Sequence, residues 1–249
     1  MLKQERHEYI LEEIRTYNRV RSSELSTQLK VSEDTIRRDL KELSDSGRIK
    51  KVHGGAMSSS YIPFSHKDRE IYAHEEKVTI VRKAISLIKD DHVVLMDGGT
   101  TNLELARLLP TELKATVFTN SLPIAVQLAE HPNIEIVFIG GKVLKNAQVT
   151  IGLDVIDVLK RVQADLCIIG TRSININVGI TEIDREEAQV KQALMNASNN
   201  VISLVISEKL DTTQPYHVEQ ISKVNTIVTE LDPSHPRLIP YTNLGIRAL

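Results

Sequence analysis

The apolar positions of the first 56 residues follow a helical repeat and then a short hairpin pattern. In KQERHEYILEEIRTYN the repeat predicts a first helix, with an apolar stripe made of Ile10, Leu11, Ile14 and Tyr17. The segment SSELSTQL predicts a second helix that buries Leu25 and Leu29. Serine is a favoured N-cap residue, so we expect this helix to be capped by Ser22 or Ser23.

A third helix is predicted three residues further on. The side chain of Ser32 can accept a hydrogen bond from the backbone of Asp34 or Thr35 and so begin the helix, which stops before Gly47. Its buried stripe consists of Ile36, Leu40 and Leu43. In RIKKVHGGA two apolar residues then flank a basic pair and a glycine pair follows, which predicts a β-hairpin of the kind called a wing.

The rest of the chain has a different pattern. Residues 59–74 mix serines, a proline and charges, which predicts a linker, and from Glu75 apolar β-runs alternate with amphipathic helices. The β-runs are VVLMD at 93–97, TVFTN at 116–120, IEIVFIGG at 134–141, DLCIIG at 165–170, VISLVIS at 201–207 and NTIVTE at 225–230. We therefore expect an α/β fold in 75–249, with a mainly parallel sheet covered by helices on both sides.

The exposed face of the third helix is suited to DNA. Residues 20–39 form a helix, a tight turn and a second helix, and this arrangement places the second helix in the major groove. The candidate DNA-binding residues are Ser32, Asp34, Thr35, Arg37, Arg38 and Lys41 on the helix, and Lys50, Lys51 and His53 on the wing. The alternative is that Arg37 and Arg38 pair with Asp34, Glu42 or Asp45 on a solvated face.

The stretch VSEDTIRRDLKELSDSGRIKKVHGGA also resembles a known family. It is similar to the N-terminal winged helix-turn-helix of DeoR-type bacterial transcriptional regulators, whose signature contains a TIRRDL-like recognition helix and a wing that ends in HGGA. The resemblance covers residues 3–58. It implies binding to double-stranded operator DNA, usually as a repressor of sugar-catabolic genes.

In the second domain the stretch VVLMDGGTTNLELARLL predicts a strand, a glycine-rich loop and a helix. Glycines allow backbone N–H groups to approach a ligand, threonines add hydroxyl donors, and a helix N-terminus favours an anion. A phosphate is the ligand that such a loop suits, although the loop lacks the lysine of a P-loop and is not GxGxxG. A plain structural turn is the alternative. The candidate effector-binding residues here are Asp97, Gly98, Gly99, Thr100 and Thr101.

Polar or glycine-containing segments also follow later strands. Ligands of open α/β sheets bind beyond the carboxyl ends of the strands, so we expect these segments to meet there. They add Asn120, Ser121, Gly140, Gly141, Gly170, Thr171 and Arg172 to the candidate effector-binding residues. Arg172 is expected either to contact a phosphate or carboxylate or to form a surface salt bridge.

Residues 75–249 as a whole resemble the DeoR-type C-terminal sensor through DGGTTNLELA, TNSLPIA, FIGGK, DLCIIGT and EEAQVKQAL. This sensor is similar in fold to ribose-5-phosphate isomerase and usually binds phosphorylated sugars, which implies that Lys191 and Lys209 also contact the effector. The chain departs from the family pattern in two places. It reads GTRSIN where G-[AT]-x-G-I-D is common, and Ser207 replaces the Asp of D-x-[ST]-K.

A phosphosugar isomerase would need a general base and a group that polarises the carbonyl. The candidates are Asp97, Glu182, Glu187 and Lys191, but Glu187 and Lys191 have the spacing of a helix-surface pair, and SININ lacks the acidic residues that the isomerase resemblance implies. We therefore expect a sensor rather than an enzyme, with no catalytic residues. The alternatives are an isomerase tethered to DNA, and a DNA-binding protein whose second domain only dimerises.

Composition adds a few expectations. The net charge of −2 divides into +2 for residues 1–56 and −4 for the remainder, a mild asymmetry that fits a DNA-binding module. The chain has no membrane-length apolar run and no metal-ligand motif, and Cys167 lies within an apolar strand. We expect a cytoplasmic protein without metal, cofactor or disulfide. Because one recognition helix reads few base pairs, a homo-oligomer is expected, as a dimer or a tetramer.

Overall fold

The computed structural model describes residues 2–17, 19–46, 48–58 and 66–249. The chain divides into two compact units, one formed by Met1–Pro63 and Asp211–Thr213 and the other by Phe64–Leu210 and Gln214–Leu249. No helix within the described ranges is long and apolar enough to cross a membrane.

The first unit contains three helices and a small sheet. Its elements are α1 (Lys3–Tyr17), β1 (Arg19–Arg21), α2 (Ser22–Leu29), α3 (Glu33–Asp45), β2 (Ile49–Val52) and β3 (Gly55–Ser58). The predicted wing is present as the antiparallel pair β2–β3, with Gly54 in its turn at a φ of +77°. Strand β1 was not predicted from the sequence and pairs with the other side of β3. Gly55 is required there because a Cβ atom would lie 2.0 Å from the carbonyl oxygen of Val20.

The core of this unit lies between the three helices and the sheet. Ile10, Leu25, Ile36 and Leu40 are fully buried, which confirms the predicted stripes. Two details of the prediction are wrong. Tyr17 is 64% exposed because it occupies the last position of α1, and Arg21 rather than a serine occupies the N-cap of α2 without a side-chain hydrogen bond.

The second unit begins with two helices, α4 (His66–Ile71) and α5 (His74–Ala84). Part of the predicted linker 59–74 is therefore helical, since α4 lies inside it; residues 59–65 fall outside the described residues. A helix of six residues is too short for a sustained apolar repeat, which is why the sequence pattern does not show it.

The large sheet of this unit consists of β4 (Val93–Met96), β5 (Ala115–Thr119), β6 (Ile134–Phe138), β9 (Leu166–Gly170), β12 (Val201–Leu204), β14 (Thr226–Val228) and β15 (Arg247–Ala248). It is parallel throughout and has the strand order β15-β14-β12-β9-β4-β5-β6. The six predicted strands are all present, and β15 is an addition. The predicted fold class, a parallel α/β sheet preceded by a small winged helix-turn-helix unit, is confirmed.

Helices cover both faces of this sheet. Alternate strand residues belong to two separate buried clusters, with Leu95, Cys167 and Ile169 in one and Met96 and Ile168 in the other. The helices are α6 (Thr100–Leu108), α7 (Leu122–Leu128), α8 (Leu153–Leu159), α9 (Arg185–Asn196) and α10 (Ile239–Thr242). The first cluster includes apolar side chains of α8 and α9, and the second those of α5, α6 and α7.

Two smaller sheets complete the unit. One is the hairpin β7 (Lys142–Leu144) and β8 (Val149–Ile151), and the other consists of β10 (Ser173–Asn175), β11 (Gly179–Glu182) and β13 (Tyr216–Glu219). Single turns of 3₁₀ helix occupy Ile85–Leu87, Ser207–Lys209 and Ile221–Lys223.

Candidate functional site

Helix α3 has the cap that its sequence predicts. The side chain of Ser32 accepts a hydrogen bond from the backbone N–H of Thr35 at 3.2 Å, and the two hydroxyl oxygens lie 2.9 Å apart. This cap satisfies one of the backbone donors that the first turn of a helix leaves without a partner. The N-terminal end of α3 is thereby ordered while its polar side chains stay accessible.

The predicted DNA-binding residues share one property, which is accessibility. All are exposed except Thr35, which is half-buried: Ser32, Asp34, Arg37, Arg38, Lys41, Lys50, Lys51 and His53. Ser32 is the N-cap of α3, the next four lie on α3 and the following two on β2, while His53 lies in the turn of the wing. A surface of this kind can place short polar groups at base edges and cations at phosphates.

The two adjacent arginines of α3 differ in their surroundings. Arg37 is 3.4 Å from the carboxylate of Asp34 and 3.3 Å from that of Glu33, within its own helix. Arg38 is exposed and makes no ion pair with any residue in the described ranges. The surface-pair alternative therefore holds for Arg37 in the absence of DNA, while the guanidinium of Arg38 is available to a ligand.

On the opposite face of α3 lies an ion pair that sequence reasoning missed. Arg6 of α1 donates from Nε and Nη2 to the two carboxylate oxygens of Asp39, at 2.5 and 3.0 Å, and both residues are buried. Burial alone would raise the pKa of Asp39, but the hydrogen bonds and charge of Arg6 outweigh it and lower that pKa. The pair fixes α3 against α1, 33 residues away in sequence.

In the second unit a cavity lies at the carboxyl ends of β4 and β9. It is lined by predicted effector-binding residues, namely Gly98, Gly99, Thr100, Thr101, Gly170, Thr171, Arg172, Lys191 and Lys209. Two glycines allow the strand ends to meet, since a Cβ atom on Gly170 would lie 2.4 Å from the carbonyl oxygen of Gly98. Gly99 has a φ of +118° and precedes α6, so the N-terminal N–H groups of that helix lie at the cavity.

A buried lysine stands at the inner end of the cavity. The ammonium of Lys191 donates to the Gly170 carbonyl and to Glu182, each at 2.8 Å, and lies 3.3 Å from Asp97. Burial alone would lower the pKa of Lys191, but the charges of Asp97 and Glu182 outweigh burial and raise it. Lys191 and Glu187 are thus not the helix-surface pair that their spacing suggests, because Lys191 is 2% exposed.

Two further groups at the cavity have displaced pKa values. Burial, together with the positive charges of Arg172 and Lys77, lowers the pKa of Lys209 to about 7. Burial, together with the negative charge of Glu182, raises the pKa of Glu187 to about 8. The ammonium of Lys209 also donates to the carbonyl of Thr171 at 3.0 Å. Both groups titrate near neutral pH, where an anionic ligand would shift their protonation.

Four other predicted effector-binding residues do not line the cavity, and neither does Asp97, whose carboxylate lies 3.3 Å from the ammonium of Lys191. Asn120 and Ser121 are buried at the end of β5, where the amide of Asn120 donates to the Thr150 carbonyl at 2.9 Å. Gly140 and Gly141 are exposed and follow β6, which is the edge strand and two places from β4. The strand order places the loops after β4 and β9 side by side and the loop after β6 at the margin.

The cavity also has lining residues that were absent from the predicted effector set. Ala147 and Val149 come from the β7–β8 hairpin, Glu182 and Glu187 from β11 and α9, and Arg69 from α4. The sequence indicates Glu182 and Glu187 only as acid–base candidates, and for Glu187 the signal is its spacing to Lys191. Arg69 has no local signal, since it lies in the stretch predicted to be a linker.

Comparison with known proteins matches both units. Residues 6–61 match the DeoR-like helix-turn-helix domain, and residues 72–231 match the DeoR C terminal sensor domain. The chain belongs to the DeoR family. It is a DNA-binding transcriptional regulator with a sensor domain, as the sequence patterns predict.

Full-length relatives of this DeoR-family protein support the assignment. The chain is 31% identical to the HTH-type transcriptional regulator GolR of Listeria innocua, covering 91% of this chain and 90% of that protein. It is 32% identical to the transcriptional repressor GlcR of Bacillus subtilis, with coverages of 94% and 91%. It is 30% identical to the glycerol-3-phosphate regulon repressor of Escherichia coli, with coverages of 94% and 93%.

Solved structures show more distant similarity. The tetrameric eIF2B-beta2-delta2 complex of C. thermophilum matches with a TM-score of 0.47 and 15% identity, over 69% of this chain and 61% of that chain. Ribose 5-phosphate isomerase A of Methanocaldococcus jannaschii matches with a TM-score of 0.42 and 16% identity, over 55% and 54%.

Proposed function

We propose that this DeoR-family regulator represses genes of carbohydrate metabolism and is released from its operator by a small phosphorylated sugar or related metabolite. The operator is read by α3 and the wing, with Arg38 as the principal contact. The effector binds the cavity at the ends of β4 and β9. The names of the relatives GlcR and the glycerol-3-phosphate regulon repressor support the sign of regulation and the class of ligand.

One observation carries the effector assignment. The N-terminus of α6, preceded by two glycines and beginning with two threonines, opens into a cavity that also contains Arg172 and Lys209. Backbone N–H groups, hydroxyls and two cationic side chains together form a site for a phosphate dianion. The charge of Lys191 adds little to it, because Asp97 and Glu182 already balance that lysine.

Calorimetric titration tests the site. The full chain is titrated with sn-glycerol 3-phosphate, fructose 1-phosphate and glucose 6-phosphate, and with glucose as the uncharged control. We expect at least one phosphate ester to bind and glucose not to bind. Thr100→Ala removes a hydroxyl at the helix start and is expected to weaken that binding by about 1 kcal/mol, since one hydrogen bond is lost. Equal affinity of Thr100→Ala and the native chain would contradict the phosphate-binding loop.

We further propose that the sensor does not turn its ligand over. Lys191 is held by two carboxylates and a carbonyl, which argues against a role as a general base. Glu187 lies in the same cavity with a pKa of about 8, however, and this is a specific reason to test for isomerase activity. The full chain is incubated with each bound phosphate ester in D₂O. Deuterium incorporation at carbon, abolished by Glu187→Gln, would show an enzyme; none is expected.

The protein is proposed to act in the cytoplasm as a homo-oligomer, because paired half-sites multiply the specificity of a single recognition helix. Light scattering of the full chain with and without operator DNA measures its stoichiometry. A monomer in both states, or an effector site that binds no phosphate ester, would favour a simpler DNA-binding protein.

A further inference from the structure

Helix α4 brings a cation into the effector cavity from the segment that follows the DNA-binding unit. Arg69 of α4 lines the cavity, and its Nη2 donates to the carbonyl of Asn146 at 2.7 Å. Its Nε is buried and has no hydrogen-bond partner among the described residues. An unsatisfied cationic N–H group at a cavity wall is costly unless a ligand accepts from it.

The charge of Arg69 acts on the other cations of the cavity. It contributes to lowering the pKa values of Arg172 and Lys209, so the three positive groups repel one another. An anion placed among them removes this repulsion and gives each of them a counter-charge. A phosphate held by the α6 loop is therefore expected to attract Arg69 as well.

Helix α4 is also attached to both elements that carry the anion-binding groups. Glu70 accepts from Arg107 of α6 at 3.3 Å, and α6 begins with the glycine–threonine loop. The hydroxyl of Tyr72, just past α4, donates to Glu208, which is the neighbour of Lys209. A change at either element is thus transmitted to α4 by a direct contact.

The C-terminal end of α4 is fixed by one lysine. The buried ammonium of Lys77 donates to the backbone carbonyls of Arg69 and Tyr72, which are among the groups that a helix end leaves without an intrahelical partner. Lys77 belongs to α5 and binds the backbone at the end of α4, while the side chain of Arg69 lines the cavity. The helix and its arginine therefore form a connected unit.

We propose that Arg69 is the residue through which the effector acts on α4 and, along the chain, on the DNA-binding unit. This inference rests on the proposed function of the cavity as a phosphate site. Only seven residues, 59–65, separate the last described residue of β3 from the first of α4. A ligand shifts an equilibrium only through contacts that differ between its two states, and the Arg69–anion contact is the one that involves α4.

The test separates binding from response. An operator duplex is first selected from a random-sequence pool by the native full chain. The dissociation constant for this duplex is then measured by fluorescence anisotropy with and without saturating sn-glycerol 3-phosphate, fructose 1-phosphate or glucose 6-phosphate, and the affinity for each ester is measured by calorimetry. The variants are Arg69→Gln, and Lys67→Gln as a control on an exposed residue of the same helix.

Arg69→Gln is expected to bind the ester about tenfold more weakly, because a charge-assisted hydrogen bond is lost. Its operator affinity is expected to be the same with saturating ester as without it. Lys67→Gln is expected to match the native chain in both measurements. If Arg69→Gln keeps the native ratio of operator affinities at saturating ester, the inference is overturned although the effector site stands. If the native chain binds none of the esters, the proposed function itself fails, and this inference with it.

A second measurement does not depend on the folding of the variant. Hydrogen exchange of the α4 amides is followed in the native chain with and without the ester that binds. We expect slower exchange at 66–71 in its presence, because the anion holds Arg69. Unchanged exchange in α4, together with slower exchange at the α6 loop, would overturn the inference.

Discussion

The guanidinium of Arg6 and the carboxylate of Asp39 form a two-point, buried ion pair between α1 and the recognition helix α3. The imidazole of His7 lies 3.2 Å from the same carboxylate. Helix α3 is thus held by a polar contact on one side and by its apolar stripe on the other, and both leave its predicted DNA-binding side chains exposed.

Removing one partner of this pair is expected to be costly. Arg6→Met leaves the carboxylate of Asp39 buried beside His7 alone, which is expected to lower the free energy of unfolding of the first unit by about 3–5 kcal/mol. Urea unfolding followed by circular dichroism measures the change. Lys3→Met is the control, since Lys3 is exposed and pairs with the exposed Glu42; an effect of similar size for both would contradict the role of burial.

The same pair predicts an acid-sensitive first unit. The pKa of Asp39 is lowered in the folded state, so its contribution to stability is complete above the pKa of the unfolded chain and is lost as the pH falls through the folded value. Stability should therefore decrease as the pH is lowered below about 4. Residue 39 cannot titrate in Asp39→Asn, so the variant should lack the part of this decrease that Asp39 causes. The free energy of unfolding of both chains is measured by urea unfolding at pH values from 3 to 7.

Arg38 and Arg37 are expected to contribute unequally to operator affinity. Arg38→Ala should weaken binding by about 1–3 kcal/mol, as for an arginine that contacts a base or phosphate, and Arg37→Ala by less, because Arg37 must first leave Glu33 and Asp34. Anisotropy titrations at several salt concentrations give both the affinity and the salt slope. A smaller salt slope with unchanged sequence preference would assign Arg38 to a phosphate. An Arg38→Ala chain with native fold and native affinity would remove the recognition-helix assignment.

The contact between Gly98 and Gly170 predicts a strong effect of one methyl group. Gly170→Ala places a Cβ atom 2.4 Å from the carbonyl oxygen of Gly98, so the backbone must move, at a cost of about 1–3 kcal/mol. Gly140→Ala is the matched control, because its Cβ atom would have no neighbour within 4 Å. Thermal unfolding and calorimetric titration should show losses for Gly170→Ala alone; equal behaviour of the two variants would refute the close contact.

Effector binding is expected to weaken as the pH rises above 7. The pKa of Lys209 is about 7 and a bound anion is expected to raise it, so that binding takes up a proton. The raised pKa of Glu187, about 8, acts in the same direction because its deprotonation adds a negative charge near the anion. Lys209→Arg stays charged and should reduce the pH dependence measured by calorimetry. A pH-independent affinity in the native chain would contradict both titrations.

Local patterns were sufficient for much of this fold. The cap at Ser32, the apolar stripe of α3 and the six predicted strands of the large sheet each depend on residues near one another in sequence, and all are present. Strands β1 and β15 were missed because they have only three and two residues, too few for any alternation to show. They form through pairing with distant strands.

The site needed information that no local pattern holds. Gly140 and Gly141 have the same loop chemistry as Gly98 and Gly99, but β6 lies at the sheet margin, and strand order is a property of the whole fold. Lys191 has the spacing of a surface pair with Glu187, yet its partners Asp97 and Glu182 come from other elements. Tertiary contacts therefore determine which candidate residues line the cavity and which of their charges are neutralised by an ion pair.

The meeting of two backbones at Gly98 and Gly170 also limits how such a sensor can change its ligand. A floor made of main chain has no side chain that a mutation can exchange, and adding one displaces the strands themselves. Differences in selectivity must then arise from other lining residues, such as Ala147, Val149 and Arg172, whose side chains differ in size and charge. In the effector site proposed above, anion binding would thus rest on the main chain, and the identity of the ligand on these exchangeable side chains.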